Sequence, residues 1–172
     1  MNRRHFIKTA VLTPFAILAG VNVVAAARHY PLQQLQRELQ QLPTDKLSSQ
    51  GSWSVSEILQ HLAQSIRYSR LGYPQAKSAW FQHTAGSAAF IAFAASGQMS
   101  HPLDAPIPGA PRLIQTISNE AAMAELLNEI EQFIAWHGEL APHFAYGQLN
   151  KEQYSSAHYL HIQNHLQQIS LS

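Results

Sequence analysis

The stretch Ala157-His158-Tyr159-Leu160-His161-Ile162-Gln163-Asn164-His165-Leu166 governs the reading of the whole chain. On a helix, at about 100° per residue, His161 and His165 lie one turn apart on one face, and His158 lies within a turn of His161 on that face. The Cβ atoms of an i,i+4 pair stand about 5–6 Å apart, which lets two ring nitrogens meet one divalent cation at about 2.0–2.1 Å. The third ligand then has to come from elsewhere in the chain. The alternative is a hydrogen-bonded, half-buried histidine face, since the sequence holds ten histidines and such pairs also arise by chance. Tyr154, Ala157, Ile162 and Ile169 accompany the stripe, so the imidazoles turn toward an apolar side where an unpaired ring nitrogen is costly.

Outward from this helix, 172 residues suffice for one domain with one core. Charged residues make up only 12 % of the chain and no basic patch stands out, which favours a helical globular protein and argues against nucleic-acid binding. The absence of cysteine removes disulfides, thiolate ligands, a cysteine nucleophile and a lipoprotein anchor. The opening Asn2-Arg3-Arg4-His5-Phe6-Ile7-Lys8 precedes an apolar run from Val11 to Ala27, interrupted by Thr13, Pro14 and Asn22. It resembles a twin-arginine export signal, with Ala25 and Ala27 suited to a peptidase. The expected division is a signal peptide over 1–27 and a mature domain over 28–172, exported to the periplasm or secreted. The alternative is an uncleaved membrane anchor, because the run is near the lower length limit for spanning a bilayer. Loss of Arg3, Arg4 and Lys8 leaves the mature chain mildly acidic.

Along the mature chain, Leu32, Leu35, Leu39 and Leu42 predict a short amphipathic helix from Pro31, followed by a polar linker over 43–52. Ser54 and Glu57 have the spacing of a capping box, with Trp53 placed to staple onto Ile58, so a helix is predicted from Val55 to about Leu71. His61 falls inside its apolar face among Ile58, Leu59, Leu62 and Ile66. A core histidine and a metal ligand are both open there. Glu57, one turn earlier, serves either as the cap or as a carboxylate poised beside a metal-bound water. Ala88 to Ala95 reads as a buried helix segment, and the proline-rich 97–112 as a cover for the core or one wall of a pocket. Asn119 is expected to cap a helix carrying Met123, Leu126, Leu127, Ile130, Phe133 and Ile134, with His137 in its last turn and Gly138 as its stop. Asn150 and Gln153 form a second capping-box pattern that opens the final helix.

Taken together, Trp53-Ser54 through His61-Leu62-Ala63, Pro106-Ile107-Pro108-Gly109-Ala110-Pro111, Ala141-Pro142-His143-Phe144-Ala145-Tyr146-Gly147 and His158-x-x-His161-x-x-x-His165 resemble the DinB/YfiT-like superfamily. The likeness is to its branch known as a domain of unknown function, and it covers essentially the whole mature chain. It implies an all-α, DinB-like four-helix bundle with a long crossover segment. It also implies a metal held by one side chain of the second helix and two of the last, which fall here on His61, His161 and His165. Three neutral imidazoles suit Zn, Ni or Fe as a divalent transition metal and leave one position open. His158 is then a candidate to orient a substrate, accept a proton or serve as fourth ligand, and His143, Tyr146 and Tyr154 are candidates for the pocket. The implied function is a metal-dependent hydrolase or a thiol-dependent transferase; the alternative is a non-catalytic metal-binding or scaffold bundle. The expected partners are the twin-arginine export machinery and a small-molecule substrate, with a homodimer left open.

Overall fold

The computed structural model of the protein describes residues 30–171, so the expected signal peptide at 1–27 lies outside the described residues. Helix α1 (Leu32–Gln40) is followed by a 3-10 turn (Thr44–Lys46), strand β1 (Leu47–Ser49) and helix α2 (Val55–Leu71). Next come a single turn α3 (Ala79–Phe81), a π-helical segment (Gln82–Gly86) and α4 (Ser87–Ser96), then α5 (Asn119–Ala135), α6 (Lys151–Leu166) and β2 (Ile169–Leu171). The described residues are thus mostly helical, with one small two-stranded sheet beside the helices. The linker expected over 43–52 supplies β1, which pairs antiparallel with β2 through Leu47↔Leu171, Ser48↔Ser170 and Ser49↔Ile169. Ser48 and Ser170 add a hydroxyl–hydroxyl bond of 3.1 Å, which ties the start of the core to the tail behind α6. Among the described residues no helix is long and apolar enough to cross a membrane.

Helix starts follow local chemistry. The Ser54–Glu57 box closes in both directions, with Glu57 N–H donating to Ser54 Oγ at 3.3 Å and Ser54 N–H to Glu57 Oε2 at 2.8 Å. Asn150 and Gln153 do the same for α6, each bond 2.9 Å. At α5 the cap is Ser118, one residue before the expected Asn119: its oxygen takes the Ala121 N–H, while Asn119 Nδ2 donates to Thr44 O. The helix also ends earlier than Gly138, because Trp136 is extended (φ −71°, ψ 127°). His137 therefore lies beyond α5 and not in its last turn. The run Ala88 to Ala95 is helical but half exposed, with Phe90 and Ala94 as its buried side chains. A run that is apolar all round has no polar face to decide which side turns inward.

Helices α2 and α5 make the most extensive contact, and they run parallel. Arg67 meets Glu125 and Glu129, Arg70 meets Glu129, and Gln60 bonds the backbone of Ile114 just before α5, so the two sequences advance in the same direction. Against α6 the order reverses: Ser69 faces His158 while His61 faces His161 and His165. A parallel pair cannot be joined by a short turn, so residues 72–118 cross the molecule between α2 and α5. The core between these helices holds Leu32, Leu35 and Leu39 of α1, Ile58, Leu59, Leu62 and Ile66 of α2, Leu126, Ile130 and Phe133 of α5, and Ile162 of α6.

One carboxylate sits inside this contact. Glu129, 3 % exposed, accepts from Arg67 Nε at 2.8 Å and from Arg70 Nη2, and Arg70 in turn lies over the Trp136 ring. Removing one member of a buried ion pair strands the other charge. Glu129→Ala is expected to lower the unfolding free energy by about 3–5 kcal/mol, measured by urea denaturation. A loss below about 1 kcal/mol, the range of exposed pairs, would contradict the buried assignment.

Candidate metal centre and its cavity

Position along α2 is set by the Ser54–Glu57 box, which places His61 on the buried side of the helix, one turn past Glu57. Helix α6 brings His161 and His165 opposite. The Nε2 atoms of His61 and His161 are 3.3 Å apart, and one ring nitrogen from each of His61, His161 and His165 lies within 4.8 Å of the others. Two imidazole nitrogens bound at about 2.0–2.1 Å to one tetrahedral ion stand about 3.3 Å apart. The three rings are mutually tilted, with centroids 5.1, 5.0 and 4.8 Å apart.

Burial tests whether a cation fits here. His165 is 0 % exposed and neither of its ring nitrogens has a hydrogen-bond partner; His61 Nδ1 is also sealed and unpartnered. Buried polar atoms left in this way are costly, and a cation shared by the three rings would take up one nitrogen of each. Packing orients the rings in place of hydrogen bonds. Trp53, expected to staple onto Ile58, lies parallel to His165 (3°, centroids 6.4 Å apart) and tilts over His61 at 5.0 Å.

The same burial keeps the imidazoles neutral, the form that binds a metal. Desolvation pulls His61 down to about 4, helped by the neighbouring His101, and His165 down to about 3, helped by His61 and His101. His161 is held well below its ordinary value by desolvation first and then by the surrounding histidines.

His158 stands apart from the triad. It is 2 % exposed, bonds Ser69 Oγ at 3.1 Å through Nε2, and packs edge-on against Phe133 at 4.8 Å and beside Tyr154 at 5.4 Å. Glu57 is taken up by the cap; its bonds to the backbone and hydroxyl of Ser54 lower its pKa, and it is absent from the cavity wall. His143 and Tyr146 do line that wall, stacked on each other at 4.2 Å. Tyr154 sits behind it, fully buried, with its hydroxyl donating to Ala141 O at 2.7 Å.

A fourth histidine at the triad escaped the sequence reading. His101, in the irregular segment after α4, has its ring 5.0 Å from that of His161 and 5.2 Å from that of His165. Its Nδ1–H donates to Pro102 O at 2.8 Å, which leaves Nε2 as the acceptor. It lies outside the converging set of nitrogens. The one cue in the sequence was its place in the proline-rich segment read as a pocket wall.

The triad opens through His61 and His161 onto a cavity of about 390 Å³. Met99, His101 and Ile107 of the crossover form one side, and His143, Phe144, Ala145 and Tyr146 of the Ala141–Gly147 loop form another. That loop closes on itself by paired backbone bonds between His143 and Gly147 (2.8 and 3.1 Å), made possible by Gly147 at φ +75°. The π-helical segment is its seat: Gln82 Nε2 donates to Phe144 O at 3.1 Å, and the bare Cα of Gly86 lies against Ala145 O. A π-helical turn inside an α-helix is a frequent mark of a functional site.

Fold and site together define a mostly helical protein with three converging histidines beside a cavity. A family model described as a protein of unknown function, DUF1569, matches residues 27–171, and the chain belongs to that family. No curated protein and no solved structure matched it.

A Cβ at Gly86 would stand 1.9 Å from Ala145 O, so the loop has to move. Gly86→Ala is expected to speed amide hydrogen exchange at Ala145 and Tyr146, the two N–H groups that bond His143, by about tenfold or more while leaving the buried face of α2 protected. Unchanged exchange at both amides would contradict the seat.

Proposed function

We propose that this protein is an exported member of the DinB-like superfamily, a four-helix bundle with a long crossover, that holds one divalent transition metal on His61, His161 and His165 and uses it for hydrolysis. The observation that carries the reading is the convergence of three neutral imidazoles, two of them buried with unpartnered nitrogens, beside an open cavity. Three protein ligands are the pattern of a catalytic site, where the fourth position is left for water or substrate. When bound, Zn, Ni or Fe at such a site supplies a Lewis acid for a carbonyl or lowers the pKa of water. The chain's own part is to keep three rings neutral, to fix two of them, His61 and His165, by packing against Trp53, and to exclude bulk water with the crossover and the 141–147 loop. A thiol-dependent transferase would use the same ligands. Hydrolysis is preferred because the expected export places the protein where low-molecular-weight thiols are scarce.

The second reading is a non-catalytic metal-binding bundle, and His101 is the observation that favours it: its ring, with Nε2 left as an acceptor, packs against those of His161 and His165. A fourth protein ligand closes a site and makes it structural.

Elemental analysis of the full chain, purified without a His tag, tests both. The open-site reading expects about one equivalent of transition metal in the wild type, loss of it in His161→Ala, and retention in His101→Ala. Metal lost equally in His101→Ala would support the closed, structural site. Unchanged metal in His161→Ala would remove the assignment.

A further inference from the structure

The cavity beside the triad has a one-sided charge. No aspartate or glutamate lines it, and Lys77 is its one formally charged side chain. The other polar side chains of the wall are Ser65, Tyr146 and five histidines. None of them supplies a negative charge at neutral pH. Burial pushes the Tyr146 phenol up to about 12, so it keeps its proton, and an imidazole that gained a proton would only add positive charge. Glu57 and Asp104, the acids near lining residues in sequence, accept hydrogen bonds from Ser54 and Ser52 and do not line the cavity.

Lys77 is an exposed residue at the edge of this wall. Its backbone N–H donates to Phe144 O at 2.8 Å, which holds its Cα at the 141–147 loop, and its Nζ lies 6.0 Å from the centre of the Phe81 ring. Phe144 and Phe81 both line the cavity. The ammonium forms no ion pair or hydrogen bond with a described residue, so no carboxylate of the fold neutralises it. Its field acts across a cleft whose other walls, Met99 and Ile107 among them, are largely apolar. At about 390 Å³ the space is of the size that takes a small molecule.

We infer that the cavity takes a carboxylate on an apolar body, its negative charge drawn by Lys77 and its body against Phe81, Met99, Ile107 and Phe144. An organic cation finds no acid in the wall and is repelled by Lys77. A neutral amide of the same shape suits the apolar wall but gains nothing from the ammonium's charge. One lysine balances one negative charge, which matches a carboxylate better than a phosphate dianion. As a substrate class this rests on the hydrolase reading above, with the carboxylate a group the substrate keeps and not the bond that is cut. As a binding preference it does not need the metal.

The test uses the full chain, labelled with nitrogen-15, stripped of metal with EDTA and kept at low ionic strength. It is titrated with 3-phenylpropanoate, 3-phenylpropanamide and 3-phenylpropylamine, and the amide shifts of residues around the cavity are followed. The acid is expected to bind at least about fivefold more tightly than the amide, with the amine weakest. Sodium chloride at about 1 M is expected to erase that advantage without weakening the amide. Lys77→Gln is expected to bring the acid down to the affinity of the amide and to leave the amide unchanged, while Lys77→Arg keeps the preference. An acid bound no better than the amide, an amine bound as well as the acid, or a preference intact in Lys77→Gln would overturn the inference. Should Lys77→Gln fail to fold, the wild-type order of the three probes and its response to salt still decide. Metal uptake without a preference for the acid would sink this inference alone; a preference for the acid in a protein that takes up no metal would sink the hydrolase reading alone.

Discussion

The parallel course of α2 and α5 is the constraint on which the rest of the structure depends. Two parallel neighbours need a connection as long as the molecule, and here that connection is residues 72–118, with its π-helical turn and its prolines. Glu129, shared by Arg67 and Arg70, fixes the register of the pair at its far end. Gln60, bonded in both directions to Ile114, fixes it near the end where His61 stands. The crossover is thereby laid across the α2–α6 contact, and Met99, His101 and Ile107 become one wall of the cavity.

That arrangement turns a helix contact into a chemical site. His61 and His165 would be poor core residues on their own, since His61 Nδ1 and both ring nitrogens of His165 are buried without a partner. What the core gains is a set of neutral donors held by packing, with Trp53 against two of the rings. His158 and His143 differ in kind. Each spends one ring nitrogen on the fold, through Ser69 or through the 141–147 loop. Six histidines in one region thus divide into the three convergent rings, His101 beside them, and the fold-bonded rings of His143 and His158.

The sequence carried the helices that hold the site better than the segments that enclose it. Capping boxes at Ser54 and Asn150 are local hydrogen-bond patterns, so α2 and α6 were legible, as was the i,i+4 pair His161 and His165. His61 was legible only as an alternative, because an apolar face around a histidine looks the same whether the ring packs or binds; the resemblance, not the spacing, singled it out. His101 lies in a segment with no periodicity, and its place beside the triad is set by the crossover's path. Strands β1 and β2 span three residues each, too short to leave an alternating pattern, and their pairing joins the segment before α2 to the tail after α6. Tyr154 shares the histidine stripe yet ends behind the cavity wall, since its hydroxyl is drawn to Ala141 O. The early end of α5 turns on the backbone of Trp136, which helix periodicity does not encode.

The most direct test of the central claim, three convergent imidazoles open to a cavity, is a crystal structure of the protein grown with zinc, read by anomalous scattering at the zinc edge. The account requires one strong peak bound by His61, His161 and His165, with the fourth position facing the cavity. A peak elsewhere, no peak at saturating zinc, or a fourth bond from a protein side chain would contradict it.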